Sequence, residues 1–189
     1  YDMAEDIIRC LKELGVERTC VYGVSQGGMI AQVLAIKYPQ LVEKLVICSS
    51  ACRENEVLKK VIGRWIELAS AGDVVGFNHQ SFMDVYSPAF LEGVKDMLPQ
   101  LEQMGTEEDC KRLLVELNAC IGLDIYDQLE NIDCPVLVMG DEQDKVLGIE
   151  GTYEIAEALG CDSYVYNGYS HAVYDEAPDI KNRVKQFLD

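Results

Sequence analysis

Four short apolar runs are separated by stretches with helical spacing, and this alternation limits the fold more than any other feature. The runs are Thr19–Val24, Lys44–Ser49, Pro135–Gly140 and Ser163–Tyr166. Each is β-prone, and the second and third are apolar nearly throughout, as expected of strands covered on both faces. Met3, Ile7, Leu11 and Leu14 recur at helical spacing before the first run, and Gly15 can end that helix. Met29-Ile30, Val33-Leu34 and Ile36-Lys37 resume the pattern after it, stopping before Pro39. Ile155, Ala156 and Leu159 mark a helix closed by Gly160, and Ile180, Val184, Phe187 and Leu188 mark a last one after Pro178. Strands alternating with helices predict βαβ units, hence an α/β fold with a parallel sheet of about four strands flanked by helices.

Residues 53 to 130 break the rhythm. They hold no convincing strand, and helical patterns run through Val57–Leu68, Val74–Tyr86, Ala89–Met104 and Cys110–Cys120. The expectation is an all-helical insertion, residues 53–130, between two parts of one α/β core, residues 1–52 and 131–189. No internal repeat or low-complexity tract is visible.

Composition narrows the function. With 16 basic and 33 acidic residues the net charge is −17, a field that repels phosphate backbones and anionic lipid heads. Nucleic acid and membrane are therefore not expected as partners, and no stretch reaches the roughly 18 apolar residues a spanning helix needs. The eight cysteines form no CxxC pair, and there are only two histidines. They read as buried free thiols of a cytoplasmic protein, with no metal site.

Gly23-Val24-Ser25-Gln26-Gly27 is G-x-S-x-G, set between an expected strand and an expected helix. A glycine-rich turn with a capping serine would use the same letters. The strand–turn–helix setting favours a nucleophile instead, because a sharp turn there pushes the serine hydroxyl out into the open. Gly23 and Gly27, two residues either side of Ser25, are expected to crowd each other and so to need the smallest side chain. The backbone N–H of Gln26 would face a developing oxyanion at the positive end of the helix.

A serine nucleophile needs a base, and the base needs an orienting acid. His79 falls in the helical insertion and reads as a surface or lid residue. His171 follows the last strand, where parallel sheets place their chemistry. Asp141, Glu142 and Asp144 follow the third strand and compete for the role of acid.

In these motifs the chain resembles the α/β-hydrolase superfamily, in the branch with a helical cap, over nearly its whole length. Val21 to Gly28 is similar to the family's nucleophile elbow. Cys134 to Gly140 with Asp144-Lys145-Val146 resembles the acid-bearing strand and loop. Gly168-Tyr169-Ser170-His171 with Glu176 and Pro178 is similar to the histidine loop and final helix, with Ser170 where glycine is frequent. The resemblance implies Ser25 as nucleophile, His171 as general base and then acid, and Asp144 as orienter. Asp141 and Glu142 stand as alternatives, because the usual glycine-to-acid spacing is one residue shorter. It implies no cofactor, and a small ester, thioester or similar acyl substrate chosen largely by the cap.

The family's sheet usually has eight strands, and the four found here resemble the fifth to eighth. The first four, with the loop that supplies a second oxyanion N–H, are expected upstream of Tyr1. Without them Thr19–Val24 would be a bare edge inviting self-association. A truncated or non-catalytic hydrolase-like module acting in binding or assembly is the alternative function.

Overall fold

The structure, a computed structural model, describes residues 1–189. Helix α1, Asp2–Glu13, buries Ala4 and Ile8 on one face, and Gly15 reverses the chain at φ +69°. Strand β1, Thr19–Val24, leads through Ser25 into α2, Gln26–Lys37, and β2 spans Val42–Cys48. Five helices follow: α3, Glu56–Ser70; α4, Val74–Val85; α5, Pro88–Val94; α6, Leu98–Leu101; and α7, Glu107–Cys120. A 3₁₀ turn, Tyr126–Asn131, returns the chain to β3, Val136–Asp141. Helix α8, Glu150–Leu159, and β4, Ser163–Tyr166, come next. A 3₁₀ turn at Ser170–Ala172, the one-turn helix α9, Val173–Glu176, and α10, Ile180–Leu188, complete the order. No helix is long and apolar enough to cross a membrane.

The four strands form one parallel sheet whose spatial order is the chain order, β1-β2-β3-β4. Side chains alternate between the faces of a strand, and β2 uses both. Leu45 and Ile47 join Ala31, Leu34, Val138 and Ile155 in the core beneath α1, α2 and α8. Val46 and Cys48 join Met139, Tyr166, Val173 and Ile180 on the opposite face, under α9 and α10. All four of these β2 side chains are fully buried, which is why the run reads as continuously apolar. Lys44 leaves the face to donate to the last carbonyls of α10, at Phe187 and Leu188, both at 2.9 Å. β1 pairs with β2 along one side only, and Tyr22 on it is 43% exposed.

The insertion has its own capping chemistry. Side-chain oxygens of Asn55, Asp73, Ser87 and Thr106 accept backbone N–H groups in the first turns of α3, α4, α5 and α7. Thr106 and Asp109 complete a reciprocal capping box. The single helix expected over Ala89–Met104 is broken between Val94 and Leu98. Pro99 falls in the first turn of α6 and lacks the N–H that a helix continuing from α5 would need at that position. The insertion narrows at an antiparallel bridge between Arg53 and Asp124. This neck lies before the expected boundary at 130, because Ile125 and Leu129 are already buried in the sheet's core. The apolar centre of the insertion, including Leu58, Ile62, Trp65, Phe77 and Leu117, runs on into Met29 of α2 and Val146-Leu147 after β3.

All eight cysteines are free thiols, but only Cys48, Cys52, Cys110 and Cys120 are buried. Cys10 is exposed on the outer face of α1, where a buried position was expected.

Candidate active site

At the end of β1 the backbone must turn into α2 within one residue, and Ser25 takes the turn at φ 53°, ψ −124°. A non-glycine residue holds such a conformation only when its surroundings over-determine it. The Ser25 N–H donates to the Cys48 carbonyl at 3.0 Å, and the Ser25 carbonyl accepts the Ser50 hydroxyl at 2.8 Å. Nothing in the sequence singled out Ser50, yet it fixes the turn from the neighbouring strand end.

The glycines divide unequally. A Cβ on Gly23 would lie 2.3 Å from the Gly27 carbonyl oxygen, and one on Gly28 would lie 2.6 Å from Ser50. A Cβ on Gly27 would meet nothing within 4 Å. The expected mutual crowding of Gly23 and Gly27 is therefore corrected: Gly23 is pressed by the backbone of residue 27, whose own side-chain direction is open.

His171 sits at the start of the turn after β4 and is 3% exposed. Its Nε2 is 3.0 Å from Ser25 Oγ, and its Nδ1 is 2.8 Å from Asp144 Oδ2. Asp144 Oδ1 accepts the N–H groups of Val146 at 2.8 Å and Leu147 at 3.0 Å, so the loop after β3 anchors one carboxylate oxygen and leaves the other to the imidazole. With Nδ1–H donated to Asp144, Nε2 carries the lone pair that faces the serine hydroxyl. Ser170 is at φ 55°, a left-handed conformation that explains why glycine suits this position. Its hydroxyl donates to the Asp84 carbonyl at 3.4 Å.

The other acidic candidates stand elsewhere. Asp141 is fully buried and accepts the N–H of Gln143 at 2.8 Å and of Tyr169 at 3.0 Å. It ties the acid loop to the histidine loop without touching the imidazole. Glu142 is exposed and accepts the Asn167 amide at 2.6 Å. His79 lies in α4, away from Ser25, with its Nδ1 2.7 Å from Glu102.

Gln26 is the first residue of α2, so its N–H has no partner one turn back and is free for a ligand. Its side-chain amide reaches across to α7, 2.5 Å from the Glu116 carbonyl and 3.2 Å from Cys120 Sγ. Sequence reasoning had no means of finding this contact, which spans 90 residues or more. Nearby side chains remain neutral. Burial pushes the Cys48 thiol and the Tyr174 phenol each up to about 12, and the Tyr174 ring meets His171 edge-on at 6.4 Å. Neither is a competing nucleophile near neutral pH. A hydroxyl on a strained turn, backed by a buried imidazole and an anchored carboxylate, is equipped for nucleophilic acyl transfer.

Comparison with known proteins bears on the fold. A family described by its alpha/beta hydrolase fold matches residues 1–119. A protein of Caulobacter sp. strain K31 named as a carbamate hydrolase, RutD, is 24% identical over 83% of this chain. The aligned part is 59% of that protein's length. MGS-M2, an alpha/beta hydrolase enzyme from a deep-sea metagenome library of the Medee basin, superposes with a TM-score of 0.85 at 24% identity. That match covers 96% of this chain and 68% of the other. The enol-lactonase of Burkholderia xenovorans LB400 superposes with a TM-score of 0.86 at 18% identity, over 99% of this chain and 72% of the other. Family match, parallel sheet and strained serine turn together place this chain in the alpha/beta hydrolase fold family.

Proposed function

We propose that this site hydrolyses a small carboxylic ester or a related acyl compound, with Ser25 as nucleophile, His171 as general base and acid, and Asp144 as orienter. One observation carries the reading: hydrogen-bond contacts from Asp144 through His171 to Ser25 Oγ, at 2.8 and 3.0 Å, are unbroken.

Ser25 Oγ attacks the acyl carbon as His171 Nε2 takes its proton. The imidazolium is held by Asp144, and the oxyanion is met by the Gln26 N–H. His171 then protonates the departing alcohol, and the bond from the acyl carbon to that oxygen breaks. Water, deprotonated by His171, attacks the acyl-serine, and the proton returns to Ser25 as the acid is released. The names of the two relatives, for carbamate and for enol-lactone cleavage, share one bond type, a carbonyl carbon joined to a heteroatom. A net charge of −17 favours a neutral or cationic substrate over a polyanion.

The test is a fluorophosphonate probe read by intact mass and peptide mapping. The expected result is one adduct, on Ser25, absent in Ser25→Ala and in His171→Ala. A folded protein that never labels would overturn hydrolysis by this chain and leave the binding-module alternative.

A further inference from the structure

Gln26 has two attachments that point in different directions. Its main chain begins α2 and presents the N–H beside Ser25. Its side chain leaves the core and ends on the last turn of α7, at Glu116 O and Cys120 Sγ. The amide nitrogen has two hydrogens, one for each of these acceptors. The last turn of α7 carries no basic side chain, so the amide is a donor placed at the negative end of that helix. Beneath it, Met29 of α2 shares an apolar cluster with Leu117 and Cys120 of α7. The amide contacts and this shared apolar cluster together tie the first turn of α2 to the last turn of α7.

We propose that Gln26 is a positioning residue: through its side chain, the docking of α7 sets the place of the Gln26 N–H, and the cap thereby controls the rate at Ser25. The proposal rests on the hydrolase reading above. When α7 is seated, the amide holds the start of α2 in register with the serine. When α7 lifts, that restraint is lost and the N–H is no longer held where oxyanion charge develops. A small misplacement suffices, because such donors act only at short range.

The variants are Gln26→Met, which keeps an unbranched helix-compatible side chain without a donor, and Gln26→Glu, which faces the Glu116 carbonyl with an acceptor. Hydrogen exchange across residues 113–121 reads the tether without any need for activity. The rate constant of fluorophosphonate labelling at Ser25, and kcat and KM for p-nitrophenyl acetate, read its transmission. In both variants exchange at 113–121 should rise at least about tenfold, and labelling and kcat should fall about tenfold with KM within about twofold. A merely structural role would lower the melting temperature and the fraction of labelled protein but leave the rate constant per site unchanged. Unaltered exchange, unaltered rate constants despite faster exchange, or an effect confined to KM would each overturn the coupling. A wild-type protein that never labels overturns the proposed function and the coupling with it, whereas labelled wild type with indifferent variants overturns the coupling alone.

Discussion

Two buried aspartates three positions apart do different work, and their partners say which. Asp144 meets His171 while its other oxygen is held by the loop's own N–H groups. Asp141 accepts backbone donors from both the acid loop and the histidine loop. Asp144→Asn should lower the Ser25 labelling rate by about three to four orders of magnitude, because the imidazole then faces an amide and loses its correct tautomer. Asp141→Asn should instead cost about 1–3 kcal/mol of stability in urea unfolding, since a buried N–H is left facing an amide donor. Its labelling rate should fall by less than about tenfold; equal losses in the two variants would reverse the assignment. Ser25 and His171 were legible because a strand-to-helix serine turn and a histidine past the last strand are local patterns. The choice among Asp141, Glu142 and Asp144 was not local. It depends on which carboxylate the loop's own hydrogen bonds turn toward the imidazole, and only the resemblance favoured Asp144 in advance.

At the scale of elements, the turn into α2 makes a sharp contrast between two glycines of one motif. Gly23→Ala puts a methyl group 2.3 Å from a backbone oxygen, and the variant should be insoluble or fail to label. Gly27→Ala enters open space at the second position of a helix and should raise stability by about 0.5–1 kcal/mol, measured by thermal unfolding. The symmetric look of G-x-S-x-G hides this difference, because the direction of each Cα–Cβ bond is fixed only once the turn is built. Strands were readable for a similar reason in reverse. Near-continuous apolar runs such as Lys44–Ser49 report burial on both faces directly. In the insertion, helical spacing located the helices, while Pro99, which breaks Ala89–Met104 into α5 and α6, was a visible signal that periodicity alone passed over.

For the whole molecule, two buried thiols and one half-buried phenol lean one way. Burial raises Cys48 from 9.0 to about 12, Cys52 from 9.0 to about 11 and Tyr174 from 10.0 to about 12. Each is protonated in both folded and unfolded chains at neutral pH. Between pH 9 and 12 the unfolded chain loses these protons first, so it binds fewer protons than the folded one and stability falls as pH rises. The melting temperature at constant ionic strength should hold steady from about pH 7 to 8.5 and drop above about pH 9; a flat curve to pH 11 would contradict it. The neck at Arg53 and Asp124 has a consequence of another kind. Since the inserted chain begins and ends at paired neighbours outside the four-stranded sheet, a different helical segment spliced between them need not lengthen any strand connection. Such an exchange is not free, however. An incoming segment must offer a hydroxyl like that of Ser87 to Glu176, a carbonyl like that of Asp84 to Ser170, and one like that of Glu116 to Gln26. Lineages that trade this segment should therefore vary in its length and composition while keeping points of attachment such as these, which set the grammar for chimeras.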